Sequence, residues 1–224
     1  MRSVKKYSII AIALTVLFIF HNVEAQTAPE ALLSWSANTS APSFYHAKRL
    51  PTRGSSIQAH IELIHQNKIV SLSGKKITWL VENQLYASKI GQKDFSFEIP
   101  TGAGDAIRVT AVILNYNGKD VRKTIEIPVT NPRVSINAPF PFGTVSVSQI
   151  TLKAFTFFFS SNNLSYTWEV NGVTPTEGAG NPSELNLSLS PEGSGDISVS
   201  LSVNNPQNPL EFGDASQLLR YIHE

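Results

Sequence analysis

Two five-residue stretches, Ile77-Thr78-Trp79-Leu80-Val81 and Tyr166-Thr167-Trp168-Glu169-Val170, each centre a tryptophan in an alternating segment. A strand points successive side chains to opposite faces, so each indole has one face to fill, burying some 150 to 250 Å². Two sheets packed ~10 Å apart provide that space. The surroundings repeat as well. Phe95, Phe97 and Ile99 before Pro100 match Leu185, Leu187 and Leu189 before Pro191, and Gly104-Asp105-Ala106-Ile107-Arg108-Val109 matches Gly195-Asp196-Ile197-Ser198-Val199. The interval from tryptophan to glycine is 25 residues in one half and 27 in the other. Agreement in residue type and spacing over three strands reads as tandem copies of one fold.

From about residue 30 the chain alternates with period two, and turn residues arrive every ~8 to 12 positions, which is an all-β signature. Strands are predicted at Leu32 to Ala37, Ser55 to Ile64, Lys75 to Glu82, Asp94 to Ile99, Asp105 to Asn115 and Val121 to Val129. In the second half they fall at Arg133 to Asn137, Gln149 to Phe159, Leu164 to Val170, Glu184 to Ser190, Asp196 to Asn204 and Ala215 to Ile222. Thr130-Asn131-Pro132 interrupts the alternation, because proline donates nothing to a ladder and holds its predecessor extended. The predicted division is therefore 1–25, a first sandwich over 26–131 and a second over 132–224.

Tyr166 to Gly172, followed by Gly195-Asp196-Ile197-Ser198-Val199-Ser200-Leu201-Ser202-Val203-Asn204, resembles the PKD-type and Ig-like β-sandwich domains of bacterial surface proteins. The resemblance covers most of residues 31 to 224. It implies tandem Ig-like (PKD-like) sandwiches and an exported address, and no reaction.

The N-terminus agrees with export. Lys5 and Lys6 precede a run from Ile9 to Phe20 in which only Thr15 is polar, and Val23-Glu24-Ala25-Gln26 follows. A basic region, about a dozen apolar residues and small residues at a cleavage site make a signal peptide, cut after Ala25. Tyr7 to Val23, 17 residues, also reaches the lower limit of a single-pass anchor. Beyond residue 25 the chain has 15 basic and 16 acidic side chains, which excludes a nucleic-acid bias. With no cysteine there is neither a disulfide framework nor a lipidation site, and an apolar core must hold the fold.

Signs of chemistry are few. His60-Ile61-Glu62-Leu63-Ile64-His65 invites a metal reading, but on a strand His60 and Glu62 share a face while His65 points away. No Gly-x-Ser-x-Gly elbow and no run of spaced aspartates occurs. No catalytic, cofactor or metal residue is assigned, and the chain is expected not to be an enzyme.

Candidate contact residues lie elsewhere. Lys48, Arg49 and Arg53 surround Leu50-Pro51-Thr52 in a long loop, with Trp35, Phe44 and Tyr45 the nearest aromatics. Ala154-Phe155-Thr156-Phe157-Phe158-Phe159 is apolar on both strand faces, so Phe158 is left to meet the first half or a partner. Charge divides too: residues 26 to 131 carry 12 basic and 8 acidic side chains, and residues 132 to 224 carry 3 and 8. Opposite potentials are expected either to dock the two halves on each other or to favour salt-sensitive head-to-tail self-association between molecules. The expected function is a non-catalytic interaction or spacer module at the cell surface or in the periplasm, its partner a surface protein or polysaccharide. Recognition is expected in loops 38–54 and 171–182, and membrane contact only if the N-terminal segment is retained. The alternative is a carbohydrate-binding or enzyme-associated module, for which exposed coplanar aromatics would speak.

Overall fold

A computed structural model describes residues 28–175, 180–190 and 193–222; the expected signal or anchor segment lies outside them. Apart from a 3-10 turn at Pro141–Gly143, every regular element among them is a strand.

In the first half, β1 (Glu30–Ala37) pairs along one edge of β2 (Ser56–His65), and β3 (Lys68–Ile69) and β6 (Asp94–Glu98) pair along the other. Facing this sheet is a second, ordered β5 (Gln84–Ile90), β4 (Lys76–Val81), β7 (Ala106–Tyr116), β8 (Lys119–Pro128). In the second half, β13 (Glu184–Ser188), β11 (Gln149–Phe157) and β9 (Arg133–Asn137) form one sheet. The other runs β10 (Thr144–Val145), β15 (Asn208–Tyr221), β14 (Gly195–Asn205), β12 (Ser165–Val170). All ladders are antiparallel except β10 on β15.

Six strands correspond one to one between the halves. β1, β2 and β6 pair as β9, β11 and β13 do, and β4, β7 and β8 pair as β12, β14 and β15 do. Each set of six is the Ig-like arrangement of two sheets joined by crossing connections. The duplication reaches the indoles themselves. Trp79 is fully buried and donates Nε1–H to the Gln92 carbonyl at 3.0 Å, and Trp168, 7% exposed, donates to the Pro182 carbonyl at 3.1 Å. Two apolar cores result, one between Ala31 and Val129 and one between Val145 and Tyr221.

Three strands were not predicted from the pattern. β3 and β5 follow two-residue turns at Gln66-Asn67 and Glu82-Asn83, where both residues have positive φ, as the tightest hairpins require. Neither turn contains glycine, so the usual signal is missing. β10 is a two-residue parallel pairing, too short to show a period. β15 begins at Asn208 rather than Ala215, because β14 turns straight back at Pro206-Gln207.

The aromatic run departs from simple alternation. Phe158 has φ of 66°, in the left-handed region, and this residue breaks the strand's period. Phe159 consequently enters the second core, fully buried, although strict alternation would put it on the face of Phe155 and Phe157.

Candidate functional site at the junction of the halves

The linker is short, and the loop 38–54 does not project from the first half but folds across it onto the second. Thr39, fully buried, fixes the loop's base by donating to the Leu50 carbonyl at 2.8 Å. Ser40 then makes a reciprocal backbone pair with the other half: its N–H donates to the Phe159 carbonyl and its carbonyl accepts from Phe158 N–H, both at 2.7 Å. Two residues of strand-like pairing thus cross the boundary. Phe44 packs edge-on to Phe155 at 4.9 Å between ring centroids, and Tyr45 packs edge-on to Phe157 at 5.9 Å and Phe158 at 5.5 Å. Aromatic pairs of this kind contribute roughly 0.5 to 1.5 kcal/mol each beyond the area they bury.

Beside the rings lies a carboxylate with no exposure at all. Glu211 of β15 accepts from Thr52 Oγ1 at 2.5 Å on one oxygen. On the other it accepts from Ser160 N–H and Oγ at 2.9 Å each and from Asn205 Nδ2 at 2.7 Å. Thr52 belongs to the first half and the remaining donors to the second, so one buried anion ties both. A buried charge is tolerated only when its lone pairs are occupied, as they are here. Close by, Asn208 Nδ2 donates to the Arg53 carbonyl at 3.0 Å and Thr130 N–H to the Pro51 carbonyl at 2.9 Å.

Gly54 fits this packing closely. Its φ is +81°, and a Cβ there would lie 2.9 Å from Asn208 Nδ2. Gly54→Ala is therefore expected to lower stability by about 1 to 3 kcal/mol in chemical denaturation, from backbone strain and the displaced asparagine together. A neutral result would mean that this contact yields freely.

The residues singled out in the sequence gather around the junction. Arg53 donates to the Ala103 carbonyl and to Asn131 Oδ1, both at 2.9 Å, and stands 4.0 Å from Asp105. Lys48 lies with its ammonium 3.7 Å from the centre of the half-buried Trp35 ring, and desolvation there lowers its pKa below the ordinary lysine value. Arg49 reaches the Thr39 carbonyl at 3.4 Å. Phe44 is about half exposed and Tyr45 is half-buried, while Phe158 is 6% exposed, against Tyr45. Glu211, Thr52, Ser160 and Asn205 were missed, since nothing in their local sequence marks a buried cluster.

Among the histidines, His60 on β2 sits with Nδ1 2.6 Å from Asp94 and Nε2 3.6 Å from Glu62. His65 turns elsewhere and meets the Tyr116 hydroxyl at 2.8 Å. No helix among the described residues is long and apolar enough to cross a membrane.

No family model matches the chain, and no curated protein does. Several solved structures resemble it. The fibronectin(III)-like modules of Clostridium thermocellum CbhA align at 14% identity and a TM-score of 0.31, over 86% of this chain and 94% of theirs. Three N-terminal domains of the bacteriophage RB49 highly immunogenic outer capsid protein align at 11% identity and a TM-score of 0.44, over 87% of this chain and 59% of theirs. A 1.5-MDa bacterial ice-binding adhesin aligns at 11% identity and a TM-score of 0.35, over 87% of this chain and 65% of that one. At these TM-scores the likenesses add nothing to the strand order, on which the Ig-like assignment rests.

Proposed function

We propose that the chain is an exported, non-catalytic spacer and interaction module of two Ig-like sandwiches, acting at the cell surface or in the periplasm in adhesion or envelope assembly. The observation that carries this reading is the junction. A flexible tether needs no buried carboxylate bridging its domains, whereas a module that holds a binding surface at a set distance does. The aromatic pairs, the Ser40 backbone pair and the Glu211 cluster all oppose bending between the halves.

Recognition then falls to the end of the second half away from the junction. Loop 38–54 is taken up by contacts with the second half, while the segment 171–182, of which 176–179 lie outside the described residues, follows β12 at the opposite end. The second half, with its β10 pairing on β15, is read as the more PKD-like of the two. The carbohydrate-binding alternative is less favoured. Phe44 and Tyr45 meet their neighbours at interplanar angles of 79° and 76°, and Lys48 covers the Trp35 ring, which leaves these residues a poor flat platform for a sugar.

The native chain has no cysteine, so spin labels placed by Ser73→Cys and Ser188→Cys, both at exposed positions, report on the two halves alone. A spacer of fixed reach is expected to give one narrow distance distribution in pulsed electron resonance. A broad distribution would remove the spacer reading.

A further inference from the structure

Strand direction decides which end of the first half carries its charge. β2 runs from Ser56 at the junction to His65 at the opposite end, and β1 runs against it with Glu30 opposite Ile64. The chain therefore enters the fold at the end farthest from the second half, where Ala28 and Pro29 share a shallow cleft with His65, Tyr116 and Arg122.

The cations collect at that same end. Lys68 faces His65 at the β2–β3 turn, Lys76 and Ile90 pair where β4 starts and β5 ends, and Lys119 pairs with Tyr116 at the β7–β8 turn. Lys75, Lys89 and Arg122 are neighbours of these in sequence. The His65 to Tyr116 hydrogen bond joins the ends of the two sheets there, and beside it Lys75 Nζ donates to the Asn115 carbonyl of β7 at 3.2 Å. Among the described residues Glu30 and Asp120 are the carboxylates at this end; Asp120 already accepts from Asn115 N–H, and Glu62 and Asp94 flank His60 further along β2. Of the cations nearer the junction, Arg108 is engaged with Glu126 at 3.0 Å and Arg53 with its carbonyl and amide partners.

Two large apolar side chains stand among the lysines. Ile69 is 69% exposed and Ile90 is 70% exposed, and each follows a lysine directly. A surface that combines several lysines with protruding isoleucines suits the boundary between anionic headgroups and acyl chains, where the charges stay in water and the methyl groups do not.

We propose that this end of the first half docks on an anionic phospholipid bilayer, with the lysines over the headgroups and Ile69 and Ile90 in the interfacial layer. Two observations select lipid. The chain enters the fold at this face, shortly after a segment, residues 1–25, that brings it to a membrane whether it is cut or kept, and the second half, with 3 basic and 8 acidic side chains, is repelled by the same surface. The partner surface would then be held out from the membrane. This orientation rests on the envelope address proposed above.

The chain from Gln26 onward includes every residue of both cores and suffices for the test. It is sedimented with vesicles of phosphatidylcholine plus phosphatidylglycerol, and with vesicles of phosphatidylcholine alone. Binding is expected to the anionic vesicles only and to weaken in high salt. Lys76→Glu and Lys89→Glu should each lower partitioning roughly fivefold or more, whereas Arg133→Glu, the same charge change in the second half, should leave it unaltered. Ile69→Asp with Ile90→Asp should weaken vesicle binding yet leave retention on dextran sulfate unchanged. Equal binding to both vesicle types, an equal loss with Arg133→Glu, or indifference to the isoleucine changes would each overturn the proposal, the last by showing a general polyanion site. Because the components are purified, such a failure leaves the spacer reading to be judged by the label distances.

Discussion

Replacing Glu211 with alanine is expected to lower stability by about 3 to 5 kcal/mol and to free the two halves from one another. The carboxylate is fully buried and accepts from Thr52, from Ser160 twice and from Asn205. Its removal leaves several of these donors facing a cavity, and each unsatisfied buried donor costs about 1 to 3 kcal/mol. Glu211→Gln retains the volume and one oxygen. With that oxygen toward Ser160 and Asn205, the amide can donate to the Thr52 hydroxyl, so the loss should be smaller, about 1 to 2 kcal/mol, as charged hydrogen bonds become neutral ones. Thr52→Ala is the most selective variant, because it removes the single donor from the first half and leaves those of the second. It should broaden the distance distribution between labels in the two halves while leaving the second core intact. Denaturation read beside the label distances checks all three. A neutral Glu211→Ala would show that the anion is dispensable.

Much of the fold was legible because it is local. Alternation located the six corresponding strands of each half, and the two tryptophans marked their cores. The junction was not, for reasons that differ by residue. The aromatic stretch 154 to 159 announced a double-sided strand, but one left-handed residue, Phe158, decides which ring enters the core. Loop 38–54 was recognisable as long and basic, whereas its return onto the second half depends on Ser40 meeting Phe158 and Phe159, well over a hundred residues away. Glu211 sits in Leu210-Glu211-Phe212, which reads as an ordinary alternating strand. Its partners are fixed only when β14 turns back into β15. Charge behaved similarly: the excess of cations in the first half was a count, and its concentration at one end required the directions of β2, β4, β5 and β8.

Trp79→Ala is expected to lower the stability of the first half by about 3 to 5 kcal/mol, comparable with the whole stability of a small domain. Trp79 is fully buried and stacks on Phe95 at 5.2 Å, which in turn stacks on Phe97 at 5.4 Å. Truncation opens a cavity at the end of that stack and orphans the Gln92 carbonyl, beside a Gln92 side-chain oxygen that is buried with no partner among the described residues. The same change at Trp168 removes an equivalent plug from a core with fewer buried side chains. The informative readout is where protection is lost. The second core contains no residue of the first half, so hydrogen exchange in Trp79→Ala should accelerate along β2, β4 and β7 while β14 and Leu219 stay protected. Trp168→Ala should give the reverse pattern. Some coupling is built in, because unfolding the first half strips Ser40, Phe44, Tyr45 and Thr52 from the second and bares Phe155, Phe157 and Phe158. Protection at β14 should therefore fall by the strength of the junction and no further. Simultaneous loss of both cores would show that the junction has merged the sandwiches into one cooperative unit, and the proposed boundary between residues 131 and 132 would lose its meaning.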